Sequence, residues 1–101
     1  MKSSELYQTT LTMVCELTEL TSDDVLRCKN EVCTDARCVL VACLSRYLTD
    51  TQIASYMQIT RQGVCHLRHL FNDSRRFRWS VGANAKEIRK ELESIAQGID
   101  C

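Results

Sequence analysis

The sequence predicts an all-α protein, a small bundle of five to six helices that contains a helix-turn-helix. Proline is absent and the 101 residues include only three glycines and few aromatics, a composition typical of a nearly all-helical chain. Apolar residues recur at helical spacing in several stretches, whereas alternating strand patterns are missing. The length is that of a single domain over residues 1–101, which can bury a real core.

The first helix is predicted to begin after a cap at Ser3 or Ser4 and to run to about Glu19. Residues 20–26 then predict a turn and a helix of one or two turns. Thr21 or Ser22 can cap this short helix, and the two aspartates that follow lie in its first turn, where the helix dipole favours them.

Residues 27–33 lack helical periodicity and predict a polar loop, in which Arg27 and Lys29 are available to phosphates. Thr34 or Asp35 is predicted to start the most apolar helix, over 36–47. Its apolar side chains cover most of the circumference, as expected of a central helix packed on several sides.

Arg37 is predicted to lie in the first turn of this central helix, where the helix dipole does not favour a cation. Its placement therefore indicates a partner outside the protein. The alternative is a surface arginine paired with Asp23, Asp24 or Asp35.

Residues 48–71 predict two short helices joined by a tight turn, a helix-turn-helix at about 49–71. Thr49 and Gln52 can form a capping box at the start of the first helix, and Thr60 can cap the second. The apolar stripes of the two helices are Ile53, Ala54 and Met57, and Val64, Leu67 and Phe71.

The second of these helices keeps a polar outer face that carries no carboxylate. Arginine matches guanine O6 and N7, and glutamine matches adenine N6 and N7, so such a face suits the DNA major groove. The alternative is an ordinary helical hairpin in a small bundle. The outward residues are Arg61, Gln62, Cys65, His66, Arg68 and His69.

A basic and aromatic stretch follows the hairpin. Arg75 and Arg76 precede Phe77 and Trp79, an interleaving that can track a nucleic-acid backbone or stack on a base. The alternative is that the two aromatic rings pack against the core. An amphipathic helix is predicted over 83–97, with Ile88, Leu92 and Ile95 inward and Gly98 as its end.

The net charge of zero hides a segregation along the chain. Residues 1–35 carry three basic against seven acidic side chains, residues 36–80 carry seven arginines against two aspartates, and residues 81–101 carry three basic against four acidic groups. A basic middle between acidic ends is a usable footprint for nucleic acid. The alternative is a solvated face paired with the acidic N-terminal part.

The sequence predicts neither an enzyme nor a metal or cofactor site. His66 and His69 have no third ligand at structural-zinc spacing, and the adjacent Cys65 and His66 point about 100° apart on a helix, with no orienting acid. The seven cysteines include no C-x-x-C pair, so most are expected to be small buried residues in a reducing, cytoplasmic setting. No membrane span, signal-type segment or nucleotide-binding loop is recognisable.

The order of these segments resembles the C-terminal DNA-binding domain of the bacterial replication initiator DnaA, a helical domain with a Trp-repressor-like helix-turn-helix. The resemblance covers about 14–71. Its most specific matches are Ala36 and Arg37 opening the long helix, Ile53 and Ala54 in the first hairpin helix, and Val64, Cys65 and His66 in the second.

The resemblance implies that Arg37 reaches the minor groove, that Lys29 contacts the DNA backbone, and that Arg61, Gln62 and His66 read bases. The family's Arg-Asp-His-Thr/Ser-Thr signature is replaced here by residues 59–63, so binding to the initiator's own box is not expected. No phosphate loop of an ATPase occurs.

We therefore expect a free-standing protein that binds double-stranded DNA with a sequence preference. It would act as a regulator, or as an accessory factor of replication or of a mobile element. Tight binding is expected to need a homodimer or another DNA-bound protein. The rival expectation is a helical adaptor that keeps the fold and binds an acidic protein instead of DNA.

Overall fold

Six helices make up the part of the chain that the structure, a computed structural model, describes, namely residues 2–73 and 79–99. No strand occurs in these ranges, so the predicted all-α bundle of five to six helices is confirmed. The helices are α1 (Ser3–Thr18), α2 (Ser22–Arg27), α3 (Glu31–Leu44), α4 (Asp50–Met57), α5 (Arg61–Asp73) and α6 (Trp79–Ile99).

Helix α3 is the centre of the bundle, as its apolar circumference predicts. It packs against α1, α2, α5 and α6. Burying one large aliphatic side chain contributes roughly 1.5–3 kcal/mol, so α3 holds much of the stability of the core. Its buried residues are Cys33, Ala36, Cys38, Val39, Leu40, Val41, Ala42, Cys43 and Leu44.

The predicted bounds of this central helix are wrong at both ends. The helix begins at Glu31 because the side chain of Asn30 accepts a hydrogen bond from the backbone N–H of Cys33, at 2.9 Å. A local cap thus extends the helix into a segment without apolar periodicity. The helix ends at Leu44, and Arg37 lies in its second turn instead of its first.

The two N-terminal helices pack beside α3. Thr21 caps α2, since its hydroxyl accepts from the backbone N–H of Asp24 at 3.2 Å. The predicted serine cap of α1 is wrong, because Lys2 is the cap residue and makes no side-chain cap hydrogen bond. Helix α1 ends at Thr18, and the next residue, Glu19, takes a left-handed conformation.

Helices α4 and α5 form the predicted hairpin. The capping box between Thr49 and Gln52 is present, and Gln58 ends α4 in a left-handed conformation. The hydroxyl of Thr60 accepts from the backbone N–H of Gly63 at 2.9 Å, which caps α5. The two predicted apolar stripes are buried and join the core.

Helix α6 is longer than predicted at both ends. It begins at Trp79, and its backbone stays helical through Gly98 to Ile99. A glycine inside a helix costs about 1 kcal/mol against alanine, and here that cost does not end the helix. The buried inner face comprises Val81, Ala85, Ile88 and Leu92.

The six cysteines in the described residues divide into two groups. Cys33, Cys38 and Cys43 are buried, as predicted for small core residues, whereas Cys15, Cys28 and Cys65 are only half-buried. All six are free thiols.

Candidate nucleic-acid interface

The outer face of α5 is the most distinctive polar surface of the described residues. Arg61 and Gln62 lie in the first turn, and His66 and His69 follow along the same helix; all four side chains are exposed. No carboxylate occurs in α5 before Asp73 at its end. A DNA duplex carries negative charge on every phosphate, so a helix face without carboxylates avoids repulsion along almost its whole length.

The inner face of α5 fixes which side chains point outward. Val64, Leu67 and Phe71 are buried in the core, at the spacing of one helical stripe. Because 3.6 residues make one turn, this stripe turns Arg61, Gln62, His66 and His69 toward solvent, whereas Leu70 packs partly against the core. The cap at Thr60 sets where this helix begins, and therefore where Arg61 and Gln62 stand.

Arg68 is not a free cation of this face. Its Nη1 donates to the carboxylate of Asp50, the first residue of α4, and its Nη2 contacts the sulfur of Cys65 at 3.7 Å. The hydrogen bond to Asp50 raises the pKa of Arg68, so the guanidinium stays charged. The pair ties α5 to the start of α4, and it lowers the net positive charge beside the outer face.

A groove of about 420 Å³ lies between the starts of α4 and α5. Cys65 lines this groove and is half-buried, so it lies at the edge of the outer face predicted for it. The remaining lining residues are Thr49, Asp50, Thr51, Arg61 and Gln62.

Arg37 bonds within the protein. Its Nε donates to the backbone oxygen of Val25 at 2.8 Å, and its Nη2 donates to the backbone oxygen of Cys28. Both carbonyls belong to the last turn and cap of α2, where helices lack internal donors. The guanidinium of Arg37 therefore supplies hydrogen-bond donors to the C-terminal end of α2. The predicted position of Arg37 in the first turn of α3 is wrong.

The predicted polar loop over 27–33 is shorter in the structure, where only residues 28–30 connect α2 to α3. Lys29 is exposed there, as a backbone-contacting residue must be. Arg27, on the same corner, donates from Nη2 to the side-chain oxygen of Gln58 at 3.4 Å. Since Gln58 forms the turn of the α4–α5 hairpin, the basic corner lies against the hairpin near the start of α5.

The sequence did not predict the role of Asp50 beside the site, nor the internal partner of Arg27, although it predicted Arg27 to be available to phosphates. Asp50 was predicted only as part of a helix start, and its partner Arg68 lies eighteen residues further along the chain. The contact of Arg27 with Gln58 spans thirty-one residues. No local pattern marks such pairs. Arg75 and Arg76 lie outside the described residues.

Within the described ranges, no group of three or more histidine, cysteine, aspartate or glutamate side chains could hold a metal ion. No helix in those ranges is both long and apolar enough to cross a membrane. Comparisons with protein-family models, curated proteins and solved structures gave no match. The resemblance to the DnaA DNA-binding domain therefore stays a prediction from the sequence.

Proposed function

We propose that this protein binds double-stranded DNA with a sequence preference, with α5 lying in the major groove. The observation that carries the proposal is the outer face of α5: exposed Arg61, Gln62, His66 and His69 on a capped helical hairpin, with no carboxylate before Asp73. A recognition helix reads base edges mainly with residues near its N-terminus, which is where Arg61 and Gln62 stand.

The two first-turn side chains have the chemistry for direct readout. The guanidinium of Arg61 can donate to guanine O6 and N7, and the amide of Gln62 can pair with adenine N6 and N7. Each such bidentate contact discriminates against a wrong base by about 1–3 kcal/mol. His66, one turn further along, would contact the next base edges.

Contacts to the phosphate backbone orient a protein on DNA and carry no sequence information directly. Lys29 is the exposed candidate for this role at the corner beside the hairpin. Arg75 and Arg76 join it on sequence grounds alone. We assign Arg37 and Arg68 to positioning, because their guanidinium groups hold the end of α2 and the start of α4.

A single module of this size covers a modest stretch of DNA. We therefore expect the protein to act as a homodimer or beside another DNA-bound protein. The cellular role would be that of a regulator, or of an accessory factor of replication or of a mobile element.

The test is a titration of fluorescent random-sequence duplex DNA at two salt concentrations, followed by selection of preferred sites from a random pool. The wild type should bind more weakly at higher salt, with a log–log slope of about −0.9 for each phosphate contact. The Arg61→Ala/Gln62→Ala variant should lose the selected motif and bind the selected site at least tenfold more weakly.

The matched control is Arg46→Ala/Gln8→Ala, which also removes one arginine and one glutamine. Both are exposed residues on other helices or connections. This control should keep the selected motif. Absence of binding at low salt by the wild type would overturn the proposal and favour the adaptor that binds an acidic protein.

A further inference from the structure

A cleft of about 530 Å³ lies between α6 and the C-terminal end of α5, and we call it the α5–α6 cleft. Its walls come from Phe71 and Asn72 at the end of α5, from Arg46 after the end of α3, and from one side of α6 over 82–93. Small-molecule sites in proteins have volumes of about 300–1,000 Å³. The cleft therefore has room for a compact organic molecule.

Three cations line the α5–α6 cleft from one helix. Arg89 and Lys90 follow Lys86 by three and four residues, so the three side chains leave α6 on one side, where like charges repel each other. Both lysines are exposed, and within the described residues neither forms an ion pair. Glu93 is the one carboxylate among the described lining residues, and its Oε1 already accepts from Arg46 at 2.9 Å. The cleft therefore keeps an excess of positive charge on α6.

Arg89 is the most buried of these three cations, and its donors are poorly used in the part of the chain that the structure describes. Its Nε is shielded from water and has no hydrogen-bond partner. Its Nη2 lies 3.5 Å from the backbone oxygen of Ala42, longer than the usual range of about 2.7–3.2 Å. The guanidinium carbon lies 5.6 Å from the centre of the Phe71 ring, which attracts the charge without accepting a strong hydrogen bond. A partly buried cation in this state favours an anion beside it.

We propose that the α5–α6 cleft binds a small molecule that carries a phosphate group. Lys86, Arg89 and Lys90 would contact the phosphate oxygens, and the apolar part of the molecule would lie against Phe71 and Ala85. A phosphate monoester carries a charge of about −1.5 to −2 near pH 7 and three acceptor oxygens, which match three cations better than the single charge of a carboxylate does. The planar fork of an arginine also fits two oxygens of one phosphate.

The probe is phenyl phosphate, titrated into the full-length protein by isothermal titration calorimetry in a buffer without phosphate at about pH 7.5, where the ester is almost fully doubly charged. Benzenesulfonate, a singly charged anion on the same ring, is the matched ligand control. Phenyl phosphate should occupy one site and bind about tenfold more tightly than benzenesulfonate, the equivalent of roughly one further charged hydrogen bond. Equal affinities, or no binding of phenyl phosphate at millimolar concentration, would overturn the proposal.

Two variants test whether the lysines of the cleft hold the anion. Lys86→Gln/Lys90→Gln removes two exposed cations without touching the core, and it should weaken the binding of phenyl phosphate by about tenfold or more. The control Lys2→Glu changes the net charge by the same amount at an exposed residue that does not line the cleft. It should bind phenyl phosphate as tightly as the wild type. Equal weakening in both variants would mean that net charge attracts the anion, and the proposed site would be wrong.

A phosphate of the DNA backbone offers the same acceptor oxygens, and a competition experiment separates the two sources. A short random-sequence duplex should not displace phenyl phosphate from the wild type. Displacement would assign the α5–α6 cleft to DNA and overturn binding of a small molecule. The cleft shares no lining residue with the groove at the start of α5. Binding of phenyl phosphate is measured without DNA, so its outcome does not depend on the proposed function.

Discussion

At the scale of single residues, Arg37 is a cation whose hydrogen-bond acceptors are set by the tertiary structure and cannot be read from the sequence. Its guanidinium donates to the backbone oxygens of Val25 and Cys28, which lie twelve and nine residues earlier in the chain. Val25 is buried, so its carbonyl has little access to water. An unsatisfied polar group in such a position costs about 1–3 kcal/mol.

We expect Arg37→Met to lower the free energy of unfolding by about 2 kcal/mol, because two carbonyls at the end of α2 lose their donors. The control Arg46→Met removes an ion pair with Glu93 whose side chains are about half exposed (49% and 52%), and it should cost at most about 1 kcal/mol. Urea denaturation without DNA measures both. Equal losses would mean that the guanidinium of Arg37 is not a structural donor.

The sequence correctly marks Arg37 as unusual, but the reason it offers, a position in the first turn of the helix, is wrong. Its expected first-turn position depends on where α3 begins, and the cap at Asn30 moves that start to Glu31. Its partners depend on how α2 packs against α3, which no spacing within either helix encodes.

At the scale of an element, the start of α5 combines a cap with a glycine at a position where a side chain would crowd it. A Cβ at Gly63 would stand 3.2 Å from the hydroxyl oxygen of Thr60 and 3.6 Å from Cδ1 of Ile59. The same hydroxyl accepts the N–H of Gly63. The glycine therefore leaves room for the cap, and this is a physical reason for a residue that helices otherwise disfavour.

This arrangement predicts coupling between the two positions. Gly63→Ala should stabilise the Thr60→Ala protein by about 1 kcal/mol, the gain in helix propensity. It should stabilise the wild type by less, or destabilise it, because the new methyl group meets the threonine hydroxyl. Urea unfolding of the four proteins of the double-mutant cycle measures the coupling. An identical effect of Gly63→Ala in both backgrounds would refute it.

Three of the helix starts were predictable because capping is local. Thr21, Thr49 and Thr60 each accept a backbone N–H three residues ahead. The ends of α6 were harder, since a long amphipathic helix continues through residues that mark a boundary elsewhere, Gly98 among them.

At the scale of the whole molecule, packing of α6 on α3 changes the pKa of a buried thiol, that of Cys43. Cys43 is buried, and its sulfur lies 3.7 Å from the backbone oxygen of Ala85 in α6. Burial raises the pKa of Cys43 to about 11, from an ordinary value of 9.0. The folded protein therefore keeps this proton at pH values where the unfolded chain releases it.

The raised pKa makes stability depend on alkaline pH. Below pH 9 both states hold the proton and the contribution is complete, and it is lost as pH rises from about 9 to about 11. Two pKa units correspond to roughly 3 kcal/mol. Urea denaturation of the wild type and of Cys43→Ala should be compared from pH 8 to pH 11. Over this range the free energy of unfolding of the wild type should fall, relative to that of Cys43→Ala, by up to that amount. A constant difference across this range would contradict the assignment.

The sequence by itself determined that the chain is helical, the caps at Thr21, Thr49 and Thr60, and the inward stripes of α4 and α5, because these depend on hydrogen bonds and side-chain spacing within about one turn. It also determined that the outer face of α5 carries arginine, glutamine and histidine without a carboxylate. Only the tertiary structure decided which cations are free. Arg68 meets Asp50, Arg37 meets the end of α2 and Arg27 meets the hairpin turn, through contacts nine to thirty-one residues apart that exist only once the helices pack.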